Sequence, residues 1–183
     1  DLIRETAKIP EILRIRFTSS YPTEMTDDLI EAFATEPKLL PFLNMPIQSG
    51  SQNVLSRMNR PYSLELYTDI IRKLKIARPD IQISSDFIVG FPGETDSDFE
   101  QTMAIAKQIK YINSYSFKYS PRPHTAAALM PDQIPENIKS MVVMDAEADA
   151  EKIASMVDFV FCAVNMKKDE IKALEEKYAK LEC

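Results

Sequence analysis

The sequence predicts an α/β fold built from consecutive β-α units. Three observations carry this expectation. Short apolar or alternating runs recur four times, and each is followed by a stretch of helical period. The links between successive runs are long enough for parallel crossovers. Polar clusters, two of them bearing glycine, fall at the ends of the runs, where parallel sheets present loops to ligands. A chain of 183 residues that is 45% hydrophobic has room for one domain or a little more, with a sizeable core.

The elements follow in order. Leu13 to Ser19, LRIRFTS, alternates as a first strand. Thr26-Asp27-Asp28 then starts a helix to about Thr35, with acids where the helix dipole favours them. Phe42 to Ile47 reads as a second strand that ends in QSGS, and Asn53 to Met58 as a short helix. Ser63 opens a longer helix to about Arg78, stopped by Pro79. Ile81 to Val89 is a third strand, and GFPGET leads from it into a helix over Asp96 to Lys110. Ser114 to Ser120, SYSFKYS, alternates as a fourth strand, closed by PRPHT. After about residue 134 the character changes, and no arginine follows Arg122. An alanine-rich helix over Asp145 to Ser155, a strand over Val157 to Val164 and a charged helix over Lys168 to Leu181 are expected there.

Composition excludes several classes. A formal net charge of −6 gives no long-range field for nucleic acid, although a local basic groove remains open. No apolar run approaches the ~20 residues of a membrane span. The two cysteines, Cys162 and Cys183, fit a reducing, cytoplasmic setting and form no clustered metal motif. Three glycines cannot build a G-x-G-x-x-G fingerprint, and one histidine excludes a two-histidine metal site within the chain. No metal ligands and no catalytic residue are assigned. A chain that opens on Asp1 with no Met and no signal-peptide h-region reads as a fragment or a processed piece.

RIRFTSSYP, TDDLIEAF, MPIQSGSQNVLSRMNRPY, ARPDIQISSDFIVGFPGETDSDFEQTM and SFKYSPRPHTAAALMPDQIP together resemble the radical SAM methylthiotransferases. Their branch acting on N6-isopentenyladenosine at tRNA position 37 is the nearest in pattern. The resemblance implies a partial TIM-like barrel over residues 1–134, supplying the third to sixth β-α units. It implies S-adenosylmethionine as cofactor, with Asp86, Ile88, Val89, Gly90, Gly93 and Glu94 at the adenine. Gln48, Ser49 and Ser51 would stand near the ribose and methionine parts. tRNA and an electron donor would be partners of the intact enzyme, with no membrane involved. The family's [4Fe–4S] cluster needs a C-x-x-x-C-x-x-C motif, which these residues lack, so the chain alone is expected to be inactive. Two further departures are His124, where the family usually has glycine, and Asn44, where histidine is common.

IPENIKSMVVMDAEADAEKIASMVDFVFCAVNMKKDEIKALEEKYAKLEC, from about Ile134 to Cys183, resembles part of the NADP-binding domain of aspartate-semialdehyde dehydrogenases. That resemblance implies a Rossmann-like fragment over residues 135–183, and the meeting of the two resemblances near QIPENIK makes a chimeric junction the preferred explanation. An NADP-dependent dehydrogenase fragment and a non-catalytic α/β binding module are the alternatives. Arg57 and Arg60 are candidates for a carboxylate or an RNA phosphate, against the reading of a solvated helix end, and Arg122 is a candidate for a substrate or S-adenosylmethionine carboxylate. Lys118, Arg122 and His124 form a candidate basic lip for tRNA. Tyr115, Phe117 and Tyr119 are expected in the core, and Asp96, Asp98 and Glu100 are expected simply to start a helix.

Overall fold

A computed structural model of the chain describes residues 2–19, 21–140 and 160–164. The helices are α1 (Leu2–Ala7), α2 (Asp27–Thr35), α3 (Gln52–Arg57), α4 (Leu64–Ala77) and α5 (Asp96–Ile109). The strands are β1 (Phe42–Asn44), β2 (Gln82–Val89), β3 (Asn113–Lys118) and β4 (Val160–Val164). They form one sheet in the order β1-β2-β3-β4, and every neighbouring pair is parallel. The α/β expectation holds, with a small parallel sheet at its centre.

Local chemistry sets the boundaries. Ser63 accepts from the Leu66 N–H at 3.1 Å and caps α4, and Pro79 follows its last turn. Thr95 and Asp98 form a reciprocal capping box at the start of α5. Lys110, at φ 57°, ends α5 in the left-handed conformation. Thr26 begins α2, but its hydroxyl donates to the Asp28 carboxylate and accepts from no backbone N–H.

The first expected strand is corrected. Leu13 to Ser19 makes only two bridges to the β1 side of the sheet, Ile15 with Leu39 and Thr18 with Asn44. The reason lies in Pro41, which has no N–H to donate, and in Phe42, whose N–H turns back to Leu40 O at 2.8 Å. The ladder is interrupted between the two bridges. The second strand also stops short of Ile47, because Pro46 breaks the donor sequence, although Gln48 rejoins β2 through a bridge to Phe87. β4 falls within the strand expected over Val157 to Val164 and pairs with β3 from Asn113–Val160 to Phe117–Val164. The helices expected over Asp145–Ser155 and Lys168–Leu181 lie outside the described residues.

One face of the sheet is closed by helices. Leu43, Ile83, Phe87 and Val89 are buried with Phe33 of α2, Tyr67, Ile71 and Leu74 of α4, and Ile105 and Ile109 of α5. Burial of this apolar surface is the main stabilising term. The core also holds a polar link: the Tyr67 hydroxyl donates to Met45 O at 2.8 Å and lies 3.0 Å from the Tyr111 hydroxyl. Burial pushes both phenols up from their usual range. On the opposite face Asp86, Ile88 and Phe117 are half-buried and Tyr115 is 39% exposed.

His124 sits at φ 66°, a left-handed conformation that glycine adopts without strain. His124→Gly is therefore expected to leave stability unchanged or raise it by up to about 1 kcal/mol. Urea unfolding of the two proteins measures this, and a clear destabilisation would show that the imidazole holds its loop.

Candidate functional site

The loops at the C-terminal ends of β1, β2 and β3 converge on the open face. Gln48 is held at φ 72°, an uncommon conformation for a residue with a side chain. Two backbone bonds to β2 impose it: Gln48 N–H donates to Asp86 O at 2.9 Å, and Ile88 N–H donates to Gln48 O at 2.8 Å. Tyr62 supports the same stretch by donating its hydroxyl to Ile47 O at 2.8 Å.

Behind this loop lies a buried polar knot. Asp98 takes the Thr95 N–H at 3.0 Å and the Thr95 hydroxyl at 2.7 Å on one oxygen, and the Ser51 hydroxyl on the other. Ser51 in turn caps α3 through the Val54 N–H. Gly50 N–H donates to the Thr102 hydroxyl at 2.9 Å, and the Ser49 hydroxyl lies 3.3 Å from it. Burial would raise the Asp98 carboxyl, but the hydrogen bonds from Ser51 and Thr95 outweigh it and hold the group below its usual range. Asp98 is thus more than the simple helix start expected for it.

The glycine turn after β2 is closed from within. Glu94 folds back to accept from both Gly90 N–H and Phe91 N–H. Burial pushes its carboxyl up to about 7, against the pull of those two donors. Gly90 and Gly93 stand at φ 73° and 74°, which favours glycine at both. A Cβ on Gly90 would run into the Lys139 methylenes, and one on Gly93 would meet Arg57 and Asp132.

A cavity of about 420 Å³ opens above β2 and β3. Phe91, Phe117 and Tyr119 supply flat apolar surface, and Gln48, Asp86 and Arg122 supply polar groups. Burial raises the Asp86 carboxyl, while a hydrogen bond from Asn44 draws it down. Asn44 is oriented by the Ser84 hydroxyl, which donates to its side-chain oxygen at 2.8 Å.

The site residues expected from the sequence therefore separate into two groups. Gln48, Asp86, Ile88 and Arg122 line the cavity. Ser49, Ser51 and Val89 are buried on the helix side, and Gly90, Gly93 and Glu94 build the turn. Arg57 is engaged structurally: its Nε donates to Pro92 O at 2.9 Å and its guanidinium pairs with Asp132. Arg60 lies 5.2 Å over the Tyr21 ring. Lys118 lines the cavity but pairs with Glu136 at 3.0 Å, and His124 is exposed outside the cavity lining. The core placement expected of Tyr115 and Phe117 is corrected. Ser114 and Ser116 take the helix-facing positions, in register with Ser85 and Phe87, and both are buried. Alternation revealed two faces but not which one pointed inward. Thr125, which also lines the cavity, and Lys139, which backs Gly90, carried no sequence signal of their own.

Residues 1–106 match the family model of the Radical SAM superfamily, more than half of the chain, and the chain belongs to that superfamily. It is 53% identical over 156 residues to the tRNA-2-methylthio-N(6)-dimethylallyladenosine synthases of Rickettsia rickettsii (strain Sheila Smith) and Rickettsia conorii, and 52% identical to that of Rickettsia felis. Each match covers 84% of this chain and 35% of the relative, so the chain spans about a third of the length of these curated relatives.

Two outcomes test this construction. Asp98→Ala should cost about 2–4 kcal/mol in urea unfolding, since it removes a cap and leaves buried donors unpaired; a loss under about 1 kcal/mol would show that the knot is dispensable. Glu94 is raised in the folded state, so the native chain binds a proton that the unfolded chain has released. Its stability should fall relative to Glu94→Gln as pH rises from about 4.5 to about 7, and run parallel above that. Unfolding free energies of both proteins between pH 4 and 8 decide this, and a constant difference throughout would refute the buried-carboxylate assignment.

Proposed function

We propose that this chain is the cofactor-binding part of a tRNA methylthiotransferase that adds a methylthio group to C2 of N6-isopentenyladenosine. The observation that carries the reading is the cavity at the strand ends, in a chain 53% identical to synthases of that name. Its volume falls within the range for small-molecule sites, and aromatic walls with a few polar groups suit a nucleoside. The succession of adjacent parallel strands supports a portion of a TIM-like barrel, with ligands taken at the C-terminal ends.

The residues present fit an adenosyl ligand. Phe91 and Phe117 offer faces to a base, while Gln48 and Asp86 offer an amide and a carboxylate to ribose hydroxyls or amines. Arg122 stands at the cavity for a carboxylate or phosphate. Bound S-adenosylmethionine would supply the radical and the methyl group. The residues do not fit a [4Fe–4S] cluster. The chain holds two cysteines, Cys162 and Cys183, and cannot form a three-thiolate motif, so no step is derived through the cluster. Those ligands, the electron donor's contact and the rest of the tRNA surface are assigned to the longer protein. A junction after residue 134 is part of the same proposal, although the matched 156 residues are longer than that segment. The family match and the relatives favour this reading over an NADP-dependent dehydrogenase.

Isothermal titration of the 183-residue chain with S-adenosylmethionine and with NADP tests the proposal. Saturable binding of S-adenosylmethionine, weakened at least fivefold by Asp86→Ala, is expected. Tight NADP binding without it would overturn the reading.

A further inference from the structure

Lys139 is buried to 5% exposure although it carries a charge, and no function described above uses it. It lies in a helical stretch, residues 136–140, whose other members are exposed or half-buried. Its ammonium donates to Tyr119 O at 3.0 Å and pairs with Glu136 at 2.8 Å. The same ammonium stands 5.8 Å from the Tyr119 ring centroid, and that ring packs edge-on against Phe91 at 5.2 Å. Glu136 also pairs with Lys118, whose ammonium lies 3.2 Å from the Ser140 hydroxyl. Both cations hold the Glu136 carboxyl below its usual range, Lys139 foremost. The methylene stem of Lys139 occupies the space that a side chain at Gly90 would need.

The partner of this contact lies at the other end of the turn. Arg57 donates to Pro92 O and pairs with Asp132, whose own carbonyl accepts from Gly93 N–H at 2.9 Å. The four residues from Gly90 to Gly93 are therefore gripped at both ends by long cationic side chains. Removing this buried ammonium takes away the side-chain donor to Tyr119 O, while Glu136 keeps its pairing with Lys118.

We infer that Lys139 is a positioning residue for the cofactor cavity. It fixes the Gly90–Gly93 turn and the Phe91–Tyr119 pair that forms one wall. The inference rests on the proposed reading of that cavity as an adenosyl site. Lys139 itself touches the turn and the wall from behind and does not line the cavity.

The test uses the full 183-residue chain as Lys139→Met, which keeps the stem and removes the charge, alongside Leu74→Ala as a core-destabilised control. Amide hydrogen exchange is read by residue, and S-adenosylmethionine affinity is read by titration well below the melting temperature. Lys139→Met should speed exchange at Gly90, Phe91 and Gly93 at least tenfold and leave α4 within twofold. It should raise the Kd at least fivefold, whereas Leu74→Ala should leave the Kd within twofold. Unchanged exchange at the turn, exchange that rises uniformly as in the control, or a Kd within twofold of the parent each overturns the inference. If the parent chain binds no S-adenosylmethionine, the adenosyl reading falls, and the exchange pattern alone decides whether Lys139 holds the turn.

Discussion

The carboxylate of Asp98 is the constraint on which the site depends. It joins the start of α5 to the start of α3, and so joins the loop after β2 to the loop after β1. Parallel strands share a ladder, but the ladder alone does not fix the loops that leave it. Here one buried acid accepts from both, and Thr102 on the next turn of α5 binds Gly50 and approaches Ser49. The two loops are therefore tied to each other through the first turns of α5. The left-handed Gln48, itself bonded to β2, lies between Ile47, whose N–H donates to the Ser85 hydroxyl, and Ser49, whose hydroxyl approaches Thr102 of α5.

Close approach is the second theme, and glycine serves it three times. Gly50 admits the α5 backbone, Gly90 admits the stem of Lys139, and Gly93 admits the Arg57–Asp132 pair. In each case the visitor is the chain itself. The ligand-facing surface is left to side chains from β2 and β3, to Gln48 and Phe91 in the loops after β1 and β2, and to the segment after β3. Ser49 and Ser51 of QSGS are accordingly buried in the framework, while Gln48, Asp86 and Ile88 face the cavity.

Much of this organisation was legible in the sequence. The helices of α2, α4 and α5 followed from caps, period and proline stops, and β2 from its apolar run. The strand before β1 was overestimated, because alternation in LRIRFTS says nothing about whether the neighbouring strand can donate hydrogen bonds. Pro41 decided that outcome from the other side of the pair. The face assignment of β3 failed for a related reason. Tyr and Phe outrank Ser in hydrophobicity, yet Ser114 and Ser116 are the residues buried on the helix side. Of the site, the strand-end loops were visible and the sorting of their residues was not. Ser49 and Gln48 are adjacent in sequence and point to different environments, a distinction created by one left-handed residue. Lys139 was invisible because a lone lysine in a charged stretch ordinarily belongs to a solvated surface.

The Glu94 turn has a consequence for the proton inventory of the molecule. The formal charge of −6 counts this carboxyl as fully ionised. With its folded value near 7, it carries only about half a charge at neutral pH, and less below. Near pH 6 the unfolded chain has released this proton almost completely and the folded chain retains most of it. Folding at that pH therefore takes up close to one proton at this position from the surrounding buffer, and the turn acts as a weak neutral-range buffer within an acidic protein.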